Sequence, residues 1–308
     1  MSRSLLRSIK RPLKRQIPLA IYLVFRVLKP FSLRTVQRVG VALGWLMYHL
    51  PNGGRDIARR NIELCFPELP PTERDALLRQ SLRQTGKTIM ELGPMWLWPI
   101  ERVRPLNRGV EGFEHFEKLR DAGNGVIALT PHLGNWEIMG LLVPEMAPMT
   151  SLYRTGKLGV WEERIKRARE RNGNRLQPTT VDGIRAVYAA LKGNELVGIL
   201  PDQDPGKGWG MFVPFFGIPA YTMNFVARLA IRSKVGVVIA YAERLPDGSG
   251  FRGVVRPVDA AINEGPVEHS VAVMNKAIED LVRNSPDQYL WIYPRFRRRP
   301  EGEGPIYS

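Results

Sequence analysis

His132 is followed five positions later by Glu137 in the stretch "TPHLGNWE", and the short apolar run "VIAL" leads into it. An imidazole is the side chain best suited to taking a proton near neutral pH. A carboxylate beside it can hold one ring nitrogen and leave the other free to act as a base. On one continuous helix a separation of five would turn the two side chains about 140° apart. They can meet only if His132 precedes a helix and Glu137 lies in its first turn. The positive end of such a helix disfavours an imidazolium and the carboxylate favours one, so the two effects oppose. The plainer alternative is a capping histidine with a solvated glutamate.

The elements around this pair supply a reason for its placement. Strands are predicted at 126–130, 149–153, 195–200, 235–242 and 251–257, and helices at 114–122, 134–143, 159–172, 181–192, 222–233 and 267–284. Alternation of this kind indicates an α/β fold with a mixed, mostly parallel sheet and helices layered on both faces. The "DGSG" at 247–250 predicts a turn between two antiparallel strands. His132 then stands at the carboxyl end of a strand, where open α/β sheets carry their chemistry. Upstream, 55–65 and 72–92 read as helices, and the Pro- and Trp-rich "GPMWLWPIERVRP" (93–105) reads as a connection to the main body.

The chain carries a net charge of +15, and residues 1–55 contribute eleven Lys or Arg without one Asp or Glu. Such a block attracts anionic lipid, nucleic acid or an acidic protein. Its interleaving with "IPLAIYLVF" (17–25) and "VGVALGWLMYHL" (39–50) favours a membrane anchor on the cytoplasmic face. Both runs are shorter than the roughly 18–20 residues of a spanning helix. The expected division is an anchor at 1–50, a helical connecting region at 51–107 and an α/β domain at 108–308. The single Cys65 excludes an internal disulfide and a Cys-rich metal site. "GKGWG" (206–210) lacks the following helix that a phosphate loop requires.

Four blocks in order carry a resemblance. They are "HLGNWE" (132–137), "YR" with "RARERNG" (153–154 and 167–173), "LPDQDPG" with "MFVPFFGIPAYT" (200–222), and "SPDQYLWIYPRFRRRP" (285–300). In these the chain resembles the bacterial lipid A late acyltransferases, part of a wider group of glycerolipid acyltransferases with an H-x4-D/E signature. The likeness spans about 110–302 and extends more loosely to "RRNIELCFPEL" (59–69). It implies an inner-membrane enzyme of a Gram-negative bacterium. Its donor would be an acyl thioester on an acidic acyl carrier protein, its acceptor a hydroxyl of a phosphorylated glycolipid, with no cofactor or metal. His132 would be the base and Glu137 would hold its ring. Backbone amides after Gly134, or an arginine, would stabilise the oxyanion.

On that reading Arg154 is a phosphate or oxyanion contact, against a surface ion pair. Arg169, on the margin of an apolar face made by Trp161, Ile165 and Ala168, is a half-buried cation that needs a partner, and is read as a substrate or oxyanion contact. Asp202 orients Arg169 or the acceptor, or else forms an Asx-turn on leaving its strand. Arg295, Arg297, Arg298 and Arg299 are expected to meet carrier protein or anionic lipid. Met and aromatic residues at 211–225 line an acyl channel or belong to the core. The rivals are an acyltransferase for another glycolipid or glycerophospholipid, and a non-enzymatic nucleic-acid-binding protein.

Overall fold

The computed structural model describes residues 21–154 and 162–307. Residues 1–20 of the expected anchor, and Trp161, lie outside them. Nine strands are described, at Asn107–Glu111 (β1), Val126–Leu129 (β2), Met149–Tyr153 (β3), Asn174–Pro178 (β4), Leu196–Ile199 (β5), Gly210–Phe215 (β6), Ile218–Met223 (β7), Gly236–Arg244 (β8) and Phe251–Pro257 (β9). Seven form one sheet in the order β1-β9-β8-β2-β5-β3-β4, and β6 and β7 form a separate hairpin. All neighbours in the large sheet run parallel except β8 and β9, which are antiparallel across the predicted turn. The fold is α/β with a mixed, mostly parallel sheet.

Alternation along the central strands builds the two sides of the core. Ile127, Leu129, Val197, Ile199, Val237 and Ile239 pack on one face against helices Val181–Lys192, Phe225–Ser233 and Val267–Asn284. Val126, Ala128, Met149, Leu196, Val238 and Ala240 face the other way, toward helix Phe113–Asp121 (α4) and the helix after β2. β2 and β5 are buried at every position, which is why they read as unbroken apolar runs. The strands β1 and β4 were not predicted. They are the two edges of the sheet, with the sequences NRGVE and NRLQP, and an edge strand, with a neighbour on one side only, is partly exposed and need not be uniformly apolar.

The N-terminal part is helical, and residues 21–28 open it. Leu33–His49 (α1) and Pro71–Leu97 (α3) cross at close range, with Gly53–Cys65 (α2) between them in sequence. A Cβ at Gly86 would lie 2.1 Å from the Gly40 carbonyl oxygen, and one at Gly44 would lie 2.3 Å from that of Leu82. Small residues let the backbones touch. The expected break at 93–105 sits further along than the prolines suggest, because α3 continues through Pro94 to Leu97. That extra turn places Trp96 against the site. The helix expected from residue 222 begins instead at Phe225, since 218–223 completes the β6–β7 hairpin.

Candidate active site

Thr130 and Pro131 follow β2, and His132 lies beyond them at the strand's carboxyl end. Its ring Nδ1 is 2.8 Å from Asp202 Oδ1, and its backbone N–H donates to Asp202 Oδ2 at 2.9 Å. Asp202 follows β5, which lies directly beside β2. One carboxylate therefore fixes both the ring and the backbone of one residue. Asp202 is buried while His132 is partly open to a cavity. Burial alone would push the Asp202 carboxyl up, but the His132 ring and its hydrogen bonds hold it below the usual range. Burial, with Asp202 beside it, keeps the Tyr289 phenol protonated well above its ordinary pKa.

This corrects the expected pairing. Glu137 does not hold His132, and Asp202 does not hold Arg169. Asn135 caps the helix Trp136–Leu142 (α5), its side-chain oxygen accepting from Ile138 N–H at 3.1 Å. Glu137, in the first turn, points to Arg169 on the helix Glu162–Glu170 (α6). Arg169 Nε donates to Glu137 Oε2 at 2.9 Å, its terminal nitrogen reaches Oε1, and Trp96 Nε1 donates to Oε2 at 3.1 Å. Arg169 thus has the partner its half-buried setting demands. Burial opposes the Glu137 charge, yet Arg169, Trp96 and the nearby His132 hold its carboxyl below the usual range.

Of the amides expected to meet an oxyanion after Gly134, that of Asn135 is committed elsewhere. Gly134 N–H donates to the Gln288 carbonyl and Asn135 N–H to that of Ala242, while Leu290 N–H donates to the His132 carbonyl. The fourth block is thus a brace for the histidine loop. Gly134 has φ +61°, and a Cβ there would sit 2.0 Å from the Ala242 oxygen, so only glycine fits. Underneath, Arg244 donates to Glu91 and to the Gly134 carbonyl, and Asn135 Nδ2 donates to Glu91 Oε2 at 3.0 Å. Gln37 of α1 also reaches Glu91, at 2.7 Å. None of the local spacings pointed to Glu91, Arg244 or Trp96; Asn135 was readable as the polar residue just before a helical run.

His132 opens on a cavity of about 660 Å³. Trp136, Met139, Met149, Ile165, Leu176 and Phe225 give it apolar walls, and Arg154, Lys166 and Lys207 also line it. Glu137 and Arg169 are in the wall as well. Arg154 is exposed at the cavity edge. The terminal arginines are mostly turned inward, contrary to expectation. Arg295 is buried and donates to Tyr221 and Thr222, Arg298 pairs with Asp204, and Arg299 bonds the Pro219 carbonyl and Glu303. Arg297 alone of the four is mainly exposed.

Because the Asp202 and Glu137 carboxyls are held low, their contribution to stability is complete above the ordinary carboxylate range and is lost as pH falls through their lower folded values. Thermal unfolding followed from pH 7 downward is expected to weaken below about pH 4. The Asp202→Asn/Glu137→Gln double variant is expected to start lower and lose less over that window. An equally steep acid limb in the double variant would place the proton uptake elsewhere.

A family of bacterial lipid A biosynthesis acyltransferases matches residues 11–298. The chain is 31% identical over 272 residues to a lipid A biosynthesis palmitoleoyltransferase of Escherichia coli K12, covering 87% of each chain. It is 30% identical over 270 residues to the lauroyltransferase of the same organism, again covering 87% of each. A lipid A biosynthesis acyltransferase of Haemophilus influenzae is 30% identical over 276 residues, 88% of this chain and 86% of that one. A supported imidazole over a deep apolar cavity and a match along nearly the whole chain agree, and the chain belongs to the bacterial lipid A biosynthesis acyltransferases.

Proposed function

We propose that this acyltransferase moves a fatty acyl chain from an acyl carrier protein thioester to a hydroxyl of a lipid A precursor, at the cytoplasmic face of the inner membrane of a Gram-negative bacterium. The observation that carries the chemistry is His132, with Nδ1 held by Asp202 at 2.8 Å and its ring on the wall of the apolar cavity. Nε2 takes the acceptor's hydroxyl proton as the oxygen attacks the thioester carbonyl. The tetrahedral oxyanion collapses, the C–S bond breaks, and the imidazolium returns the proton to the leaving sulfur. Asp202 keeps the ring in the productive tautomer throughout, as the carboxylate does in hydrolase triads. Arg154 is the candidate contact for the oxyanion or an acceptor phosphate. No bound cofactor enters this scheme.

The membrane reading rests on the surface of the N-terminal part. No helix among the described residues is long and apolar enough to cross a membrane. Ile21, Leu23, Val24, Val27, Phe31, Trp45, Leu46 and Leu50 are nevertheless exposed, interleaved with exposed Arg26, Lys29, Arg34 and Arg38. Apolar and basic residues mixed in this way favour a helix lying in the head-group region. The same segment adjoins the site, since Phe25 packs edge-on against Trp96 and Arg164 of α6 lies over Tyr22. A lipid acceptor held there would be close to the cavity. Acidic carrier protein suits the Lys166 and Lys207 rim.

The purified chain, given acyl carrier protein thioester and a lipid A precursor in anionic vesicles, is expected to raise the precursor mass by one acyl chain. Acylation of a lysophospholipid in preference would assign the rival acceptor. Trp45→Glu/Leu46→Glu is expected to lower vesicle retention roughly tenfold while sparing turnover in detergent. Unchanged retention would remove the interfacial helix from the account.

A further inference from the structure

A second cavity lies on the same side of the sheet as the first, and α5 separates them. It measures about 70 Å³ and is lined almost wholly by apolar groups, among them Phe116, Ala128, Ile138, Val238 and Val255. Only one residue, Met139, lines both cavities among the described residues. Its neighbours on α5 divide: Trp136 and Gly140 face the first cavity, Ile138 and Leu142 the second.

The floors of the two cavities are continuous. Gly198 belongs to the first and Ala128 to the second, and they are paired in register on adjacent parallel strands. Neighbouring strands lie about 4.8 Å apart, and both residues are small. Above this floor the two cavities meet at the Met139 side chain, which α5 projects into both linings. On this same face the Met149 methyl takes the room above Gly198, since a Cβ at Gly198 would meet it at 2.3 Å. An unbranched thioether side chain rearranges easily, and a dry apolar cavity accepts apolar groups.

We propose that the second cavity receives the end of the donor's acyl chain and that Met139 sets the longest chain accepted. This rests on the first cavity holding the donor chain, as in the reaction above. The thioester carbon then lies by His132, the chain runs back along β2 and β5, and its terminal methylenes press on Met139. Shorter chains stop at the methionine, and longer ones must displace it. The side chain thus acts on selectivity and takes no part in the proton transfer.

Equimolar lauroyl, myristoyl and palmitoyl carrier-protein thioesters are offered in competition to the purified full chain, and the products are weighed. Met139→Ala frees room for about two methylenes, so the palmitoyl-to-lauroyl ratio is expected to rise about tenfold. Met139→Phe is expected to lower that ratio. Ala128→Val, added to Met139→Ala, fills the second cavity from below and is expected to cancel the gain. Should Met139→Ala fold poorly, Met139→Val carries the same test with a smaller shift. A ratio unchanged in Met139→Phe and in Met139→Ala or its Met139→Val substitute, with transfer still measurable, overturns the role of Met139. Failure of the wild-type chain to use any carrier thioester would instead overturn the donor assignment.

Discussion

His132→Ala and Asp202→Asn are each expected to lower kcat by about 10³–10⁴-fold, with the fold and vesicle binding retained. The asparagine variant is the sharper probe. It keeps the size of Asp202 and can still bond the ring, but its amide group can present a donor to Nδ1 and leaves the imidazolium without its counter-charge. Asp202 also receives the His132 backbone N–H, so the ring's base is fixed at two points. Because the two residues act as one unit, Asp202→Asn added to His132→Ala is expected to cost little more. Glu137 and Arg169 form a second unit on the cavity wall, and their double variant is likewise expected to match the worse single one. A cycle in which His132 couples to Glu137 and is independent of Asp202 would return the ring-holding role to Glu137. Single-turnover rates and a four-way cycle decide between the two arrangements.

The pairing of His132 with Asp202 was beyond reach from spacing, and the reason is topological. The two residues are seventy positions apart, and each was legible as a polar residue just past a buried strand. What brings them together is that β5, the fifth strand of the chain, lies beside β2. Nothing local encodes that adjacency. The central strands themselves were legible because burial on both faces makes them uniformly apolar. The edge strands and the β6–β7 hairpin were not, since NRGVE and NRLQP resemble loops and the hairpin turns at Phe216–Gly217, where Phe216 takes the uncommon φ of +50°. The terminal arginines give the converse lesson. A dense charge cluster read as a docking surface, yet tertiary partners such as Asp204 and the carbonyl of Tyr221 had already engaged most of it.

Glu91→Leu is expected to destabilise the chain by about 3–5 kcal/mol, because it strands a buried cation. Arg244 and Glu91 have side chains 1% and 0% exposed and meet at 2.6 Å. Arg244 also bonds Thr88, Gln84 and the Gly134 carbonyl, and Glu91 also accepts from Gln37 and Asn135. With the carboxylate gone, the guanidinium keeps neutral partners that offset only part of its lost hydration. Asn135 and Gln37 each lose an acceptor as well. The double variant Glu91→Leu/Arg244→Met removes the charge together with its counter-charge, and is expected to recover much of the loss in urea unfolding. Recovery of stability need not restore turnover. Gly134 and Asn135 carry His132 into place, and the double variant still lacks the groups that tether them to α1 and α3. Full stability with a lowered kcat would therefore separate the structural share of this network from its share in holding the histidine loop. A Glu91→Leu unfolding free energy within about 1 kcal/mol of wild type would mean that water reaches Arg244, and that the loop is held by its backbone bonds to Gln288, Leu290 and Ala242 alone.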